Sequence, residues 1–293
     1  MIRALLGNYK NQTTSVLQRI HTRLLRVGFK NGKRVNFGSK SASAKTFYPE
    51  LALRAAIDPS IYSVFRRHHL YTPILEHVSL KDASLYLNII KDVYHLADDE
   101  IYQATEPLQC IGSPYKIHLD RLRMPISTTS LRYLKVALEI KDKLKDGPSP
   151  DLVEIGCGYG GQAVVLDRIM HINSYTFIDL WQVNYLIQRF IEDAGINCKY
   201  RLATLGSLDG LGSWDMVISN YAFSELPQSL QLKYFDQVLS LSRRGYLIMN
   251  SGVDGKFDDI NNLPQDSLLK LIPGSSITDE IPVTFSENYL LEW

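Results

Sequence analysis

The chain has 293 residues, 45% of them hydrophobic and 22% charged, which suits a globular protein with a buried core. No run approaches eighteen consecutive apolar residues, so no bilayer-spanning helix is expected. The net charge of +1 conceals an asymmetry: residues 1–49 hold ten of the 32 Lys and Arg and none of the 31 Asp and Glu.

Within that arm, Leu17, Ile20, Leu24 and Val27 recur at helical spacing between Thr13 and Gly28, and Arg19, Arg23 and Arg26 share another face. A basic amphipathic helix of this kind can lie on an anionic membrane surface. Docking on an acidic partner, recruitment of a phosphate-bearing substrate and mitochondrial import are other readings of an Arg-rich, acid-free start. Nucleic-acid binding is not expected, because the bases lack interleaved stacking aromatics. Residues 50–147 read as mainly helical, with helices over Leu51–Ile57, Ser60–His69, Leu80–His95 and Ser130–Lys145. Pro73, Pro107, Pro114 and Pro125 serve as breaks, and Gly147-Pro148-Ser149-Pro150 is a stiff hinge into residues 148–293.

Residues 153–161, Val-Glu-Ile-Gly-Cys-Gly-Tyr-Gly-Gly, form an apolar strand that breaks into a glycine turn. Gly156, Gly158 and Gly160 allow dihedrals that a Cβ forbids, so backbone can lie flush against a ligand. As Gly156-x-Gly158-x-x-Gly161 the turn satisfies a dinucleotide fingerprint. As Glu154-x-Gly156-x-Gly158-x-Gly160 it matches the first motif of S-adenosylmethionine-dependent methyltransferases, and Glu154 favours this second reading because a carboxylate suits a cationic ligand. Tyr159 lies within the turn; Gln162, opening the next helix, is placed to meet the ligand's carboxylate or to cap. Of the three cysteines, Cys157 sits in the turn and Cys110 and Cys198 stand elsewhere at no ligand spacing, so reduced thiols and no metal are expected.

Tyr175–Ile178 reads as the second strand, ending at Asp179 and Leu180, about twenty residues past the turn, where an acid accepts ribose hydroxyls. An N-cap for the helix beginning near Trp181 is the other role open to Asp179. Strands follow near Cys198–Leu202 and over Trp214–Ser219 and Gly245–Asn250, with Pro227 opening a helix between the last two. Thr204 falls where adenine contacts arise, although the acid often found there is missing. The loop Asn220-Tyr221-Ala222-Phe223-Ser224-Glu225 follows the fourth strand and should border the reacting centre. It supplies Asn220 for hydrogen bonds, Tyr221 and Phe223 to flank a cation, and Glu225 as a general base or a helix N-terminal acid. His68 and His69 are rival bases by their pKa range or an idle exposed pair, and His77 is a weaker case. Ile281–Phe285 and Tyr289–Trp293 read as a closing hairpin.

The run from Asp151 to Asn250 resembles the bacterial sugar O-methyltransferase family, sharing VEIGCGYGGQ, FIDL, ISNYAFSEL and RGYLIMN. FRRHHLYTPILEHVS at 65–79 and ISTTSLRYL at 126–134 also look like that family, so the likeness spans roughly residues 60–293. It implies a class I methyltransferase fold, an α/β Rossmann-like, mostly parallel seven-stranded sheet with a helical N-terminal extension. It also implies S-adenosylmethionine as cofactor and a sugar hydroxyl, in a nucleotide- or lipid-linked glycan precursor, as acceptor. Arg132 and Tyr133, in ISTTSLRYL, are expected with Phe223 on the acceptor side, although salt-bridge duty suits Arg132 equally. The bacterial likeness places the protein in the cytoplasm, peripheral to the inner membrane face if the arm docks there. A non-catalytic methyltransferase-like assembly protein, or a methyltransferase for a non-sugar molecule, remain alternatives.

Overall fold

The computed structural model describes residues 46–208, 212–257 and 259–293, so the basic helix expected over Thr13–Gly28 lies outside the described residues. Helices α1 (Tyr48–Ile57), α2 (Pro59–Tyr62), α3 (Thr72–Leu75), α4 (Leu80–Asp92), α5 (Asp98–Cys110) and α6 (Thr128–Leu144) precede the sheet. Then β1 (Asp151–Ile155), α7 (Gly161–Ile169), β2 (Ser174–Ile178), α8 (Trp181–Ala194), β3 (Lys199–Ala203) and β4 (Met216–Asn220) follow in sequence. The chain continues through α9 (Gln228–Gln237), β5 (Gly245–Met249), a small ribbon of β6 (Lys256–Phe257) and β7 (Ile260–Asn261), and α10 (Gln265–Leu271). It ends in β8 (Ser276–Asp279) and β9 (Tyr289–Glu292).

Among the described residues, seven strands form one sheet in the order β3-β2-β1-β4-β5-β9-β8. The first five run parallel, β9 is antiparallel to β5, and β8 is antiparallel to β9. This is the mostly parallel seven-stranded α/β sheet expected of a class I methyltransferase fold. Both faces are covered, which is why β5 reads as an unbroken apolar run. Leu152, Tyr175, Phe177, Ile218 and Tyr246 face a core built with α1, α4, α5, α6, α7 and α8. Val153, Ile155, Val217, Leu247 and Met249 face a second core with α9 and α10. The first core runs continuously from Tyr48 to Ile248, so the N-terminal helices and the sheet are packed as one body. No helix among the described residues is long and apolar enough to cross a bilayer.

Several expected elements change shape. The helix expected over Ser60–His69 is broken into α2 and a 3-10 turn at Phe65–Arg67. The Arg66 side chain causes this: it is fully buried and bonds Glu76 at 2.5 Å, the Leu108 carbonyl and Ser127 Oγ. Meanwhile the Arg66 N–H donates to the Gly112 carbonyl rather than along a helix. Helix α5 fills a region read only as punctuated by Pro107, which the helix accommodates within its last turn. Asp98, Asp99 and Glu100 favour its N-terminus, and Glu100 accepts the Ala97 N–H at 2.7 Å.

The closing hairpin pairs Ser276–Asp279 with β9; Ile281–Phe285 is not a strand. Ile281, Val283 and Phe285 alternate as a strand would, yet all three are exposed. Pro282 lacks a ladder donor, and Glu280 binds Thr284 and Asn288 at 2.6 and 2.8 Å, folding the segment back on itself.

The turn after β1 depends on its glycines. Gly156 has φ of +73°, and a Cβ there would lie 2.0 Å from the Ala222 Cβ. We expect Gly156→Ala to lower stability by about 1–3 kcal/mol through overpacking alone, with further cost from its left-handed backbone. Thermal unfolding at wild-type temperature would show that the two loops are not held this close.

Candidate active site

The carboxyl ends of β1, β2 and β4 meet at the glycine turn. Gly156, Gly158 and Gly160 all have positive φ, and Gly160 is the residue from which α7 starts. Asp179, at the end of β2, is half-buried and reaches across to the turn. One carboxylate oxygen accepts the Leu180 N–H at 2.7 Å and the other the Gly158 N–H at 3.2 Å. The Cys157 N–H adds a third backbone bond, and the remaining acceptor capacity is open to a ligand hydroxyl. The helix N-cap itself is Leu180, so Asp179 ties strand to turn instead of capping α8. Burial pushes the Asp179 carboxyl up to about 7 against its backbone hydrogen bonds, with Glu225 adding repulsion.

Glu154 stands in β1, not at an open pocket edge. It is 1% exposed, and its carboxylate accepts the Tyr175 hydroxyl at 2.9 Å. Burial pushes it up to about 8, Tyr175 opposes the shift, and Asp179 adds to it. Burial thus disfavours the charged form of Glu154 unless a cation stands nearby. Beside it, the Asn220 side-chain amide donates to Gln162 Oε1 at 3.3 Å, and the Asn220 Oδ1 is buried with no partner. The Gln162 amide donates to the Tyr133 carbonyl at 3.1 Å, so Gln162 is fully enclosed and fixes α6 to the turn.

Tyr221 follows β4 with φ of +68°, a costly conformation for a residue with a Cβ. Its hydroxyl donates to Glu280, a buried acid from the C-terminal segment. The Arg132 guanidinium lies 5.6 Å from the Tyr221 ring centroid and 5.4 Å from that of Tyr133. Burial and Arg132 together push the His77 imidazole down to about 4. Leu75 of α3 covers Gly158, where a Cβ would lie 3.1 Å from it.

The structure therefore brings Glu154, the turn glycines, Gln162, Asp179, Leu180, Asn220, Tyr221, Arg132 and Tyr133 to one edge. Glu225 sits on its Asp179 side, where its charge also reaches the Tyr48 hydroxyl. Thr204 ends β3 and starts the 3-10 turn Leu205–Ser207, with its hydroxyl 3.2 Å from that of Ser207. Other assignments change. Phe223 is fully buried in the second core against Tyr234, so it cannot flank an acceptor. The Tyr159 ring is fully buried among Phe65, Tyr133 and Phe190, leaving only its backbone to the turn. His68 and His69 stack on each other at 4.6 Å, and among the described residues neither bonds a residue of the turn. Tyr48, Leu75, Tyr86, Tyr175 and Glu280 were not identified as site residues from sequence, and His77 only as a weaker candidate base. Tyr175 pairs with Leu152 in the register, two residues before Glu154, and shares the face on which its hydroxyl reaches that carboxylate.

No protein-family model matches the chain, and no curated protein matches it by sequence. Its solved structural neighbours are distant. TehB from Haemophilus influenzae aligns with a TM-score of 0.40 and 10% identity over 53% of this chain, which spans 60% of TehB. Magnesium protoporphyrin IX methyltransferase from Synechocystis PCC 6803, solved with bound SAM, gives 0.42 and 14% over 74% of this chain and 98% of its own. The N-terminal domain of EvdMO1, crystallised in the presence of SAH and D-fucose, gives 0.44 and 13% over 68% and 97%.

The two raised acids set a pH dependence. Each folded-state value lies above its ordinary one, so the associated stability is full below the ordinary carboxyl range, falls as pH rises from there, and is lost by about 7 for Asp179 and about 8 for Glu154. We expect the ligand-free protein to melt at progressively lower temperature across that window, and Glu154→Gln, which keeps an acceptor for Tyr175, to flatten the slope. An unchanged slope in the variant would show that Glu154 is already ionised.

Proposed function

We propose that this protein is an S-adenosylmethionine-dependent O-methyltransferase acting on a sugar hydroxyl. The observation that carries the reading is the buried Glu154 beside Asn220, whose Oδ1 has no partner, near a glycine turn that Asp179 holds by its Gly158 N–H. Such a set suits a ligand with a positive charge at one end and a ribose diol at the other, and it opposes a pyrophosphate. When bound, S-adenosylmethionine supplies a methyl group on a sulfonium, open to in-line attack by an acceptor oxygen.

The chain's own residues then have separate tasks. Asp179 takes the ribose hydroxyls on its spare lone pairs. Asn220 Oδ1 accepts from the ligand ammonium, and Glu154 ionises once a cation offsets its burial. Tyr221, held by Glu280, presents its ring at the end of β4, while Leu75 and α1 keep water from the turn. Alignment of this kind supplies about 7–11 kcal/mol in favourable intramolecular cases, so a strong base is not the main requirement. The acceptor reading has support from a cavity of about 250 Å³ between α6 and the sheet. Tyr94, Glu139, Tyr246, Thr278, Asp279 and Glu280 line it, offering hydroxyl and carboxylate partners for a hydroxyl-rich molecule. Glu280 joins this cavity to Tyr221. The family-like ISNYAFSEL and RGYLIMN blocks point the same way.

S-adenosylhomocysteine should bind in calorimetry, and Asp179→Ala should weaken it about tenfold or more, as expected for hydrogen bonds to a charged acceptor. Labelled S-adenosylmethionine should then transfer its methyl to a member of a nucleotide-sugar and glycan-precursor panel. No binding would contradict the cofactor; binding without transfer to any sugar would contradict the acceptor.

A further inference from the structure

Two arginines are buried in the described residues, and the protein treats them differently. Arg66 is 0% exposed and satisfied on every side by Glu76, the Leu108 carbonyl and Ser127, with the Tyr159 ring 4.7 Å away. Arg132 is 5% exposed, and its Nε is buried with no hydrogen-bond partner. No ion pair among the described residues includes it. Its neighbours are the phenols of Tyr133, Tyr221 and Tyr86, and burial raises all three, so each stays neutral. Of these, Tyr133 gives it hydrogen-bonding support. His77, also beside it, is held neutral.

A buried guanidinium without a counter-ion is costly, and replacing such a group by an apolar one often stabilises a protein. Aromatic faces soften the cost but leave the Nε–H donor open. The charge also lies at the carboxyl edge of β4, against a tyrosine held in a left-handed backbone, where ligands of such sheets bind.

The geometry points to Arg132 as the receptor for an anionic group, a carboxylate or phosphate, carried by a ligand at this edge. The inference rests on the reading of that edge as the methyl-transfer site. Two ligands can bring the anion: the amino-acid end of the cofactor, or an acidic acceptor such as a sugar phosphate or uronic acid. The Gln162 amide, the other group placed near a ligand carboxylate, is already committed to Tyr133 and Asn220.

Arg132→Met on the full chain tests this, since it fills the space and removes the charge. The variant should melt at the wild-type temperature or higher. Inorganic phosphate should raise the melting temperature of the wild type above a chloride control of equal ionic strength, and not that of the variant. Calorimetry with S-adenosylhomocysteine and with 5′-methylthioadenosine, which lacks the amino-acid end, separates the sources. If the cofactor supplies the anion, phosphate competes with S-adenosylhomocysteine, and the variant loses about tenfold or more of the preference for it over methylthioadenosine. If the acceptor supplies it, both nucleosides bind the variant as they do the wild type, and phosphate adds to S-adenosylhomocysteine. Equal phosphate effects in both proteins, with an unchanged preference between nucleosides, would overturn the assignment. Should Arg132→Met not fold, Arg132→Lys takes its place: a weakened phosphate effect or nucleoside preference supports the receptor, and wild-type behaviour overturns it. A wild type that binds phosphate through Arg132 but neither nucleoside would sink the methyltransferase reading and leave the anion receptor standing.

Discussion

Glu154 is a carboxyl group that the fold deprives of water, and the candidate site is arranged around that constraint. Strand β1 runs through the centre of the sheet, so a side chain there faces a packed helical layer rather than solvent. The Tyr175 hydroxyl is too little compensation to keep it ionised at neutral pH. Asp179, at the next strand's end, is under the same pressure despite its backbone hydrogen bonds. Two acids whose charged forms burial disfavours form a latent negative site. A cation that entered beside Glu154 would turn a destabilised charge into a paired one, which favours a positive group over a neutral one at that position.

The helices before the sheet share the strands' core, and this gives the site its walls. Arg66 gathers three segments through Glu76, Leu108 and Ser127, and the aromatic group of Phe65, Tyr71, Tyr133, Tyr159 and Phe190 packs behind the turn. Rigid backing of this kind holds Gln162 and Tyr133 in register with Asn220. Glu280 plays the corresponding part from the other end of the chain, where it clamps Tyr221. The site is thus assembled from segments more than two hundred residues apart in sequence, all resting on one sheet.

How much of this was legible in the sequence depended on how local the signal was. The glycine turn, Asp179 and Asn220 are adjacent to strand ends, where period and punctuation speak directly, and βα alternation marks a parallel sheet. Phe223 and Tyr159 misled because an aromatic residue in a functional loop looks the same whether it faces ligand or core; burial is decided by tertiary packing. Ile281–Phe285 alternated like a strand, but a long-range acid contact and a proline overrode the pattern. Glu280 and Tyr86 had no sequence signal, since their place at the site comes from how the N-terminal helices and C-terminal segment fold over the sheet. Arg132 was read with both of its roles open; the absence of any carboxylate partner among the described residues was visible only in three dimensions.

Proton exchange on cofactor binding probes the central claim most directly. Calorimetric titration of the protein with S-adenosylmethionine at about pH 6, below the raised values of both acids, in buffers of different ionisation enthalpy, counts the protons released. Ionisation of Glu154 or Asp179 by the bound cation predicts net release, reduced in Glu154→Gln. Binding with no release, or with uptake, would mean that these carboxyl groups do not answer to the ligand's charge.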